Sequence, residues 1–221
     1  MLAGNDPSHP IDAIFVNAPL KDYDRYPRHN DYTLPVLGMA YIATYASEVG
    51  FNVGVLDAEA AGLGVSEVAR IVNDADPRWV GMNLLAPTYR LSAAILSKLS
   101  PEIRVMVGGH QAKAMPAEIL SDPTIPRIDA LILGEGELRV AALLADEVDR
   151  RALPGMMWLN PLMNQPVTSN GSDTSQQWLA PDINDLPFVD RRFLAHDPYP
   201  AGDGRLEANL VGSRGCPYNC T

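Results

Sequence analysis

Cys216 and Cys220 stand in Gly212-Ser213-Arg214-Gly215-Cys216-Pro217-Tyr218-Asn219-Cys220-Thr221, and the 221-residue chain has no other cysteine. Closely spaced thiolates are the ligands that iron–sulfur clusters use, because one loop must present several sulfurs to one small cube. Two cysteines do not complete such a cube. The spacing alone equally fits a local disulfide, half of a zinc site or two unrelated thiols. A second set of residues concerns backbone. Gly108-Gly109-His110-Gln111-Ala112 and Gly134-Glu135-Gly136-Glu137 each follow an apolar run. Glycine has no Cβ to hold a large ligand away from the main chain. The glycine pair also fits a tight strand-to-helix turn, and the two carboxylates fit the positive end of a helix.

These residues act together only if the fold carries them to one edge, and the hydrophobic pattern supplies such a fold. Buried-type strands are expected at residues 11–17, 51–56, 79–85, 104–107 and 128–133. Helices are expected between them, at 34–50, 65–73, 88–99 and 116–120, and then at 137–148. Pro35 suits the first helix start and Gly50 its stop, while Ser66 suits an N-cap. Five alternations of strand and helix predict an α/β domain over residues 1–150. Its sheet is expected to be five-stranded, parallel and flavodoxin-like, in the order 2-1-3-4-5 with helices on both faces. A charged, tyrosine-bearing loop at 20–33 is long enough to be functional or disordered. Residues 151–205 read as a connector holding one more strand at 155–160 and a turn-rich stretch at 161–175. A further unit is expected from 206, opening on a strand at 208–211.

Composition narrows the class. Hydrophobic residues make up 47% and charged residues 20%, a globular mix, and the net charge is -10. That charge argues against a nucleic-acid or anionic-membrane partner. No apolar run has the length of a membrane span, residues 1–10 are unlike a signal peptide, and a terminal cysteine pair makes no disulfide framework. A cytoplasmic, reducing compartment fits best.

Ligands of open parallel sheets bind outside the carboxyl ends of the strands, near the point where strand order reverses. The first strand ends in Asn17-Ala18-Pro19-Leu20, without the Ser/Thr- and Gly-rich cradle a flavin phosphate needs. Asn17, Asn83 and Gly134 stand where a phosphate-accepting receiver would carry Asp, Asp and Lys. Gly134-Glu135-Gly136 is followed by Arg139, so no dinucleotide fingerprint forms. The remaining strand-end loops are Asn83-Leu84-Leu85-Ala86-Pro87-Thr88 and the two glycine loops. Tyr23, Tyr26 and Tyr32 fit exposed loop positions, His29 and His196 surface positions, and Trp79, Trp158 and Trp178 packing anchors.

One ordered set spans nearly the whole chain. It comprises Leu34-Pro35-Val36-Leu37-Gly38-Met39-Ala40-Tyr41-Ile42-Ala43, Gly108-Gly109-His110, Gly134-Glu135-Gly136-Glu137, Leu186-Pro187 and Gly215-Cys216-Pro217-Tyr218-Asn219-Cys220. This set resembles the cobalamin-binding domain in front of many radical S-adenosylmethionine (SAM) enzymes, followed by the start of their Cys-x3-Cys-x2-Cys loop. The third cysteine of that pattern would fall two residues beyond Thr221, so the chain is expected to be the front part of a longer enzyme. Two thiolates are then expected not to assemble a catalytic cluster on this chain alone. The resemblance implies cobalamin on the carboxyl edge, against Leu34, Pro35, Val36, Leu37 and Gly38, against Asn83, Leu84, Leu85 and Thr88, and against Gly108, Gly109, His110, Gln111, Gly134, Glu135 and Gly136. It implies Cys216 and Cys220 as ligands of a 4Fe–4S cluster that binds SAM in the full enzyme. It implies methyl transfer from methylcobalamin to an unactivated carbon of a small molecule or peptide held by the barrel that follows. The cobalamin tail would pass Gly108 and Gly109. Cobalamin is expected to bind with its benzimidazole base off. No Asp-x-His-x-x-Gly string occurs, so cobalt is also expected to carry no histidine of this chain, His110 being the rival ligand. Two other readings stand beside this one: a cobalamin carrier or sensor without catalysis, and a flavodoxin-like small-molecule binder without a corrin.

Overall fold

The computed structural model describes residues 2–29, 33–146, 149–160, 162–169, 183–195, 199–200 and 205–214. A seven-stranded sheet organises them, in the order β2-β1-β3-β4-β5-β6-β7. Its strands are β1 (Ala13–Asn17), β2 (Val53–Asp57), β3 (Trp79–Asn83), β4 (Arg104–Gly108), β5 (Ala130–Ile132), β6 (Met156–Asn160) and β7 (Gln165–Thr168). The first five are parallel and follow the expected order. The expected five-stranded parallel sheet is corrected by β6 and β7, which add antiparallel at the β5 edge. β7 lies inside the stretch that reads as turn. Its Pro166 cannot donate to a ladder, which a strand tolerates at the sheet edge, where β7 stands.

Strand residues alternate between two cores because successive side chains leave opposite faces. Ile14, Val16, Val80, Met82, Val105 and Val107 face one core, with Val65, Val68 and Val72 of α3 (Val65–Ala75) and Ile95 of α4 (Tyr89–Leu96). Ala13, Phe15, Val53, Val55 and Met106 face the other, with residues of α1 (Leu37–Glu48) and the last helix. Short helices α2 (Ala58–Ala61), α5 (His110–Ala114) and α6 (Pro116–Leu120) complete the crossovers, and α7 (Glu137–Ala145) follows β5. Trp79 and Trp158 are buried, as expected of anchors; Trp178 lies outside the described residues.

Helix boundaries show what propensity missed. α1 begins at Leu37 with Val36 as N-cap, not at Pro35. It stops as expected at Gly50, whose φ is +101°, with Gly50 N–H donating to Ser47 O and Phe51 N–H to Ala46 O. Ser66 does not cap α3. Gly64 is the N-cap, and the loop after β1 supplies the acceptors: Asp22 Oδ1 takes Val65 N–H at 3.1 Å and Asp24 Oδ2 takes Ser66 N–H at 2.6 Å. A Cβ at Gly64 would lie 2.2 Å from Asp24 N, so glycine is what admits this loop. The strand expected at 208–211 is instead β9 (Leu206–Glu207), paired antiparallel with β8 (Tyr199–Pro200).

At the amino edge of the sheet, Asp146 accepts from Arg104 Nη1 and Nη2 at 2.9 and 3.0 Å and from Arg78 Nη2 at 2.6 Å. Arg104, then Arg78, hold its carboxyl below the usual carboxylate range against a smaller opposing effect of burial. A depressed pKa contributes stability above the unfolded value, about 3.9, and that stability is lost as pH falls through the folded value. Asp146→Asn keeps a residue tolerant of the +54° φ found there. It is expected to cost about 1 kcal/mol or less at pH 7, since Asp146 is half-exposed. Urea unfolding between pH 6 and pH 3 checks this: the mutant should lose less stability on acidification than the parent.

Candidate functional site

The carboxyl ends of the parallel strands and the loops after them form one continuous edge. At its β1–β2 end, Asn17 Nδ2 donates to Asp57 Oδ1 at 2.8 Å. The long loop after β1 is latched to α2 and α3. Glu59 accepts from Leu20 N–H at 2.7 Å and from the Tyr23 hydroxyl at 2.8 Å, and Arg28 Nη1 donates to Ala60 O. Burial and then the bond to Glu59 push the Tyr23 phenol up to about 12. Tyr26 is exposed and Tyr32 lies outside the described residues. Between this loop and α4 lies an open cavity of about 550 Å³ bounded by Lys21, Arg25, Tyr26, His29 and Leu91. It sits where strand order reverses between β1 and β3, the usual ligand crevice of such sheets.

The β3 and β4 loops interlock. Leu84 N–H donates to Gly108 O at 2.8 Å, and Gln111 N–H donates back to Leu84 O at 3.0 Å. Gly109 has φ +95°, and a Cβ there would lie 2.0 Å from Asn83 Oδ1 and 3.0 Å from Leu84 O. The fold therefore requires glycine at 109. It does not require one at 108, where a Cβ would meet nothing nearer than Ile132 O at 3.7 Å. Gly108 leaves bare, half-exposed backbone at the strand end, and nothing among the described residues requires it. Thr88 is buried as the N-cap of α4, Leu84 is fully buried and Leu85 partly so; His110 is exposed at the start of α5.

Each residue from Gly134 to Glu137 has its own task. Gly134 takes φ +89°, and a Cβ at Gly136 would lie 2.6 Å from Ile42 Cδ1, so Gly136 lets α7 approach α1. Glu135 and Glu137 both reach Arg214, at 3.0 and 2.6 Å, rather than serving only as charges at the helix start. Beneath them Arg139 is fully buried, donating through Nε to Pro154 O and through Nη1 to Glu135 O, each at 2.7 Å. Burial pulls its guanidinium pKa down, against the nearby Glu135 charge. Arg139 thereby ties the β5–α7 loop to the turn before β6.

The structure thus brings Asn83 to Thr88, Gly108 to Gln111 and Gly134 to Glu137 to one edge. The start of α1 joins the same edge because α1 follows β1. Leu34 and Gly38 are exposed there, Pro35, Val36 and Leu37 are half-buried, and a Cβ at Gly38 would touch nothing among the described residues. Cys216, Cys220 and His196 lie outside the described residues. Among the described residues no three metal-ligating side chains gather. Arg139, Tyr41 and Arg214 were not legible beforehand as site residues, since nothing in the sequence pairs Arg214 with carboxylates more than seventy positions away.

Residues 29–144, just over half of the chain, match the family described as the B12 binding domain. An uncharacterized methyltransferase of Pyrococcus horikoshii is 30% identical over 192 residues, which cover 85% of this chain and 40% of that protein. Cytidylyl-2-hydroxyethylphosphonate methyltransferase of Streptomyces wedmorensis is 24% identical over 231 residues, covering 84% and 43%. The chain therefore spans less than half the length of these relatives. The radical SAM methyltransferase TsrM of Kitasatospora setae shares the fold. With tryptophan substrate and a SAM analogue bound it superposes at TM-score 0.57 and 16% identity, over 73% of this chain and 30% of that one. With cobalamin and a 4Fe–4S cluster bound the TM-score is 0.54, again at 16% identity, over 71% and 30%.

Proposed function

The chain belongs to the B12 binding domain family, and from that membership we propose that it is the cobalamin module of a radical SAM methyltransferase. The observation that carries the placement of the cofactor is Gly108. Its bare backbone stands at the carboxyl edge where nothing among the described residues demands glycine, so a Cβ would occupy a surface that a ligand can use. Asn83, Leu84, Leu85 and Thr88 flank it on one side, and His110 and Gln111 on the other. Gly134, Glu135 and Gly136 extend the rim across β5, and Leu34 to Gly38 extend it at the start of α1. The proposed domains are the cobalamin-binding unit at 1–150, the connector at 151–205, whose β6, β7 and Phe193 complete that unit's sheet and core, and the start of the SAM barrel at 206–221, with Cys216 and Cys220 toward the cluster.

In the full enzyme the bound cofactors supply the chemistry, a methyl group from methylcobalamin and a radical from SAM on the 4Fe–4S cluster. This chain's residues position. The interlocked β3 and β4 loops fix the rim's shape, Glu59, Asp22 and Asp24 hold the loop after β1 against α2 and α3, and Arg139 braces the loop after β5 from below. The acceptor is proposed to be an unactivated carbon of a small molecule or peptide. The methyltransferase names of the two relatives support methyl transfer, and the fold shared with TsrM supports the module's architecture.

Titration with hydroxocobalamin, followed by its visible spectrum, tests the module. Saturable uptake is expected, and no uptake by a folded chain would remove the proposal. Cobalt is expected to carry no histidine of this chain, because His110, exposed at the start of α5, stands after β4 and outside any Asp-x-His-x-x-Gly string in which an Asp would orient the imidazole. Electron paramagnetic resonance of the cob(II)alamin complex checks this. Nitrogen superhyperfine splitting that disappears in His110→Ala would show the opposite.

A further inference from the structure

Arg214 stands two residues before Cys216, a reach of at most about 7 Å of chain. Ala208, Leu210, Gly212 and Ser213 before it are exposed, and Asn209 O accepts from Arg191 Nη1 at 3.4 Å. Arg214 itself is held from three sides. Nη1 lies 2.6 Å from Glu137 Oε1 and 3.0 Å from Glu135 Oε2, and the guanidinium carbon sits 4.6 Å from the centroid of the Tyr41 ring. The Glu137 side chain is 5% exposed and that of Arg214 22%. A carboxylate so buried is stable only with its cation in place. A planar guanidinium can donate to carboxylates along its edge while its face lies on an aromatic ring, a geometry that the compact charge of an ammonium reproduces less well.

We propose that Glu135, Glu137 and Tyr41 form a clamp on Arg214 that docks the segment leading to the cysteine pair onto the cofactor edge, beside Gly134 and Gly136. Arg214 is then a positioning residue for the cluster loop. The purpose of the clamp rests on the function proposed above; the docking itself does not. The clamp accounts for both carboxylates of Gly134-Glu135-Gly136-Glu137 and for the arginine of Gly212-Ser213-Arg214-Gly215 by one contact. It sets the loop before Cys216 against α1 and α7, the two helices that Gly136 allows to meet.

The test is backbone ¹⁵N relaxation of the 221-residue chain, with Arg214→Met, Arg214→Lys, Glu137→Gln and the double variant Arg214→Met/Glu137→Gln. In the parent, amides of residues 211–214 should show order parameters near those of the sheet, about 0.85; in Arg214→Met they should fall below about 0.6. Arg214→Lys should fall between, and the double variant should be no more mobile than Arg214→Met. Order parameters of β1 to β5 should stay as in the parent in every variant, which a general loss of order would not allow, and the double variant, which leaves no uncompensated buried carboxylate, should keep a thermal midpoint nearer the parent's than Arg214→Met does. Unchanged order at 211–214 in both Arg214→Met and Glu137→Gln overturns the clamp, as does mobility in the parent equal to that of Arg214→Met. Hydroxocobalamin titration of the parent runs alongside. A parent that relaxes as expected but takes up no cobalamin refutes the function and keeps the docking. A parent that binds cobalamin while the variants stay ordered refutes the docking alone.

Discussion

Gly109→Ala is expected to destabilise the protein by about 2–4 kcal/mol, whereas Gly108→Ala leaves stability within about 1 kcal/mol and instead weakens cobalamin binding about tenfold. The two substitutions add the same methyl group to adjacent residues. At 109 it meets a φ of +95° and the Asn83 carboxamide oxygen at 2.0 Å. A left-handed backbone costs a non-glycine residue about 1–3 kcal/mol before any overlap. Asn83→Ala in the same chain should restore the part due to overlap and leave the part due to φ. At 108 the methyl finds ordinary contacts, 3.7 Å from Ile132 O and 3.8 Å from Ile132 Cβ. Removing a glycine also narrows the unfolded ensemble, which offsets part of any cost. Urea unfolding gives the stability pair and hydroxocobalamin titration gives the affinity of Gly108→Ala. Unchanged affinity in a folded Gly108→Ala would move the cofactor away from this strand end.

Phe193→Ala is expected to cost about 3–5 kcal/mol, the range for truncating a fully buried aromatic side chain. Phe188→Ala, five residues earlier, should change stability by no more than about 0.5 kcal/mol. Phe193 is 0% exposed and Phe188 96%. The Phe193 ring lies over Gly4, where a Cβ would be 2.1 Å from Phe193 Cδ1, so the connector and the amino terminus lock each other in place. Asp190 N–H donates to Thr44 Oγ1 at 2.9 Å and Arg192 Nη2 to Ser47 Oγ at 2.6 Å, fixing the same turn to α1. Leu153 and Met156, also past residue 150, are fully buried in the same core. A chain ended at residue 150 should therefore lose cooperative unfolding, measured by urea titration, because those core positions would be vacated.

Much of this arrangement was legible in the residues themselves. Strands β1 to β5 are short apolar runs at regular intervals, and a parallel sheet covered on both faces is the arrangement that buries such runs. Gly50 marked its helix stop because only a residue without Cβ takes that φ freely. The ordered set of motifs placed the chain in its family, since it names positions along a whole domain. The tertiary structure decided what depends on partners distant in sequence. Ser66 has the chemistry of an N-cap, yet Asp22 and Asp24 cap α3 from a loop some forty residues earlier. Gln165 to Thr168 carry a proline and a polar pattern, and become a strand only because β6 offers them an edge. Gly108 and Gly109 are identical letters. One is required by the carboxamide of Asn83 and the other is not, and that difference exists only where β3 and β4 lie side by side. Glu135, Glu137, Tyr41 and Arg214 likewise become one contact only when α1, α7 and the end of the chain converge, because a local pattern cannot encode which distant charge fills a buried carboxylate's need.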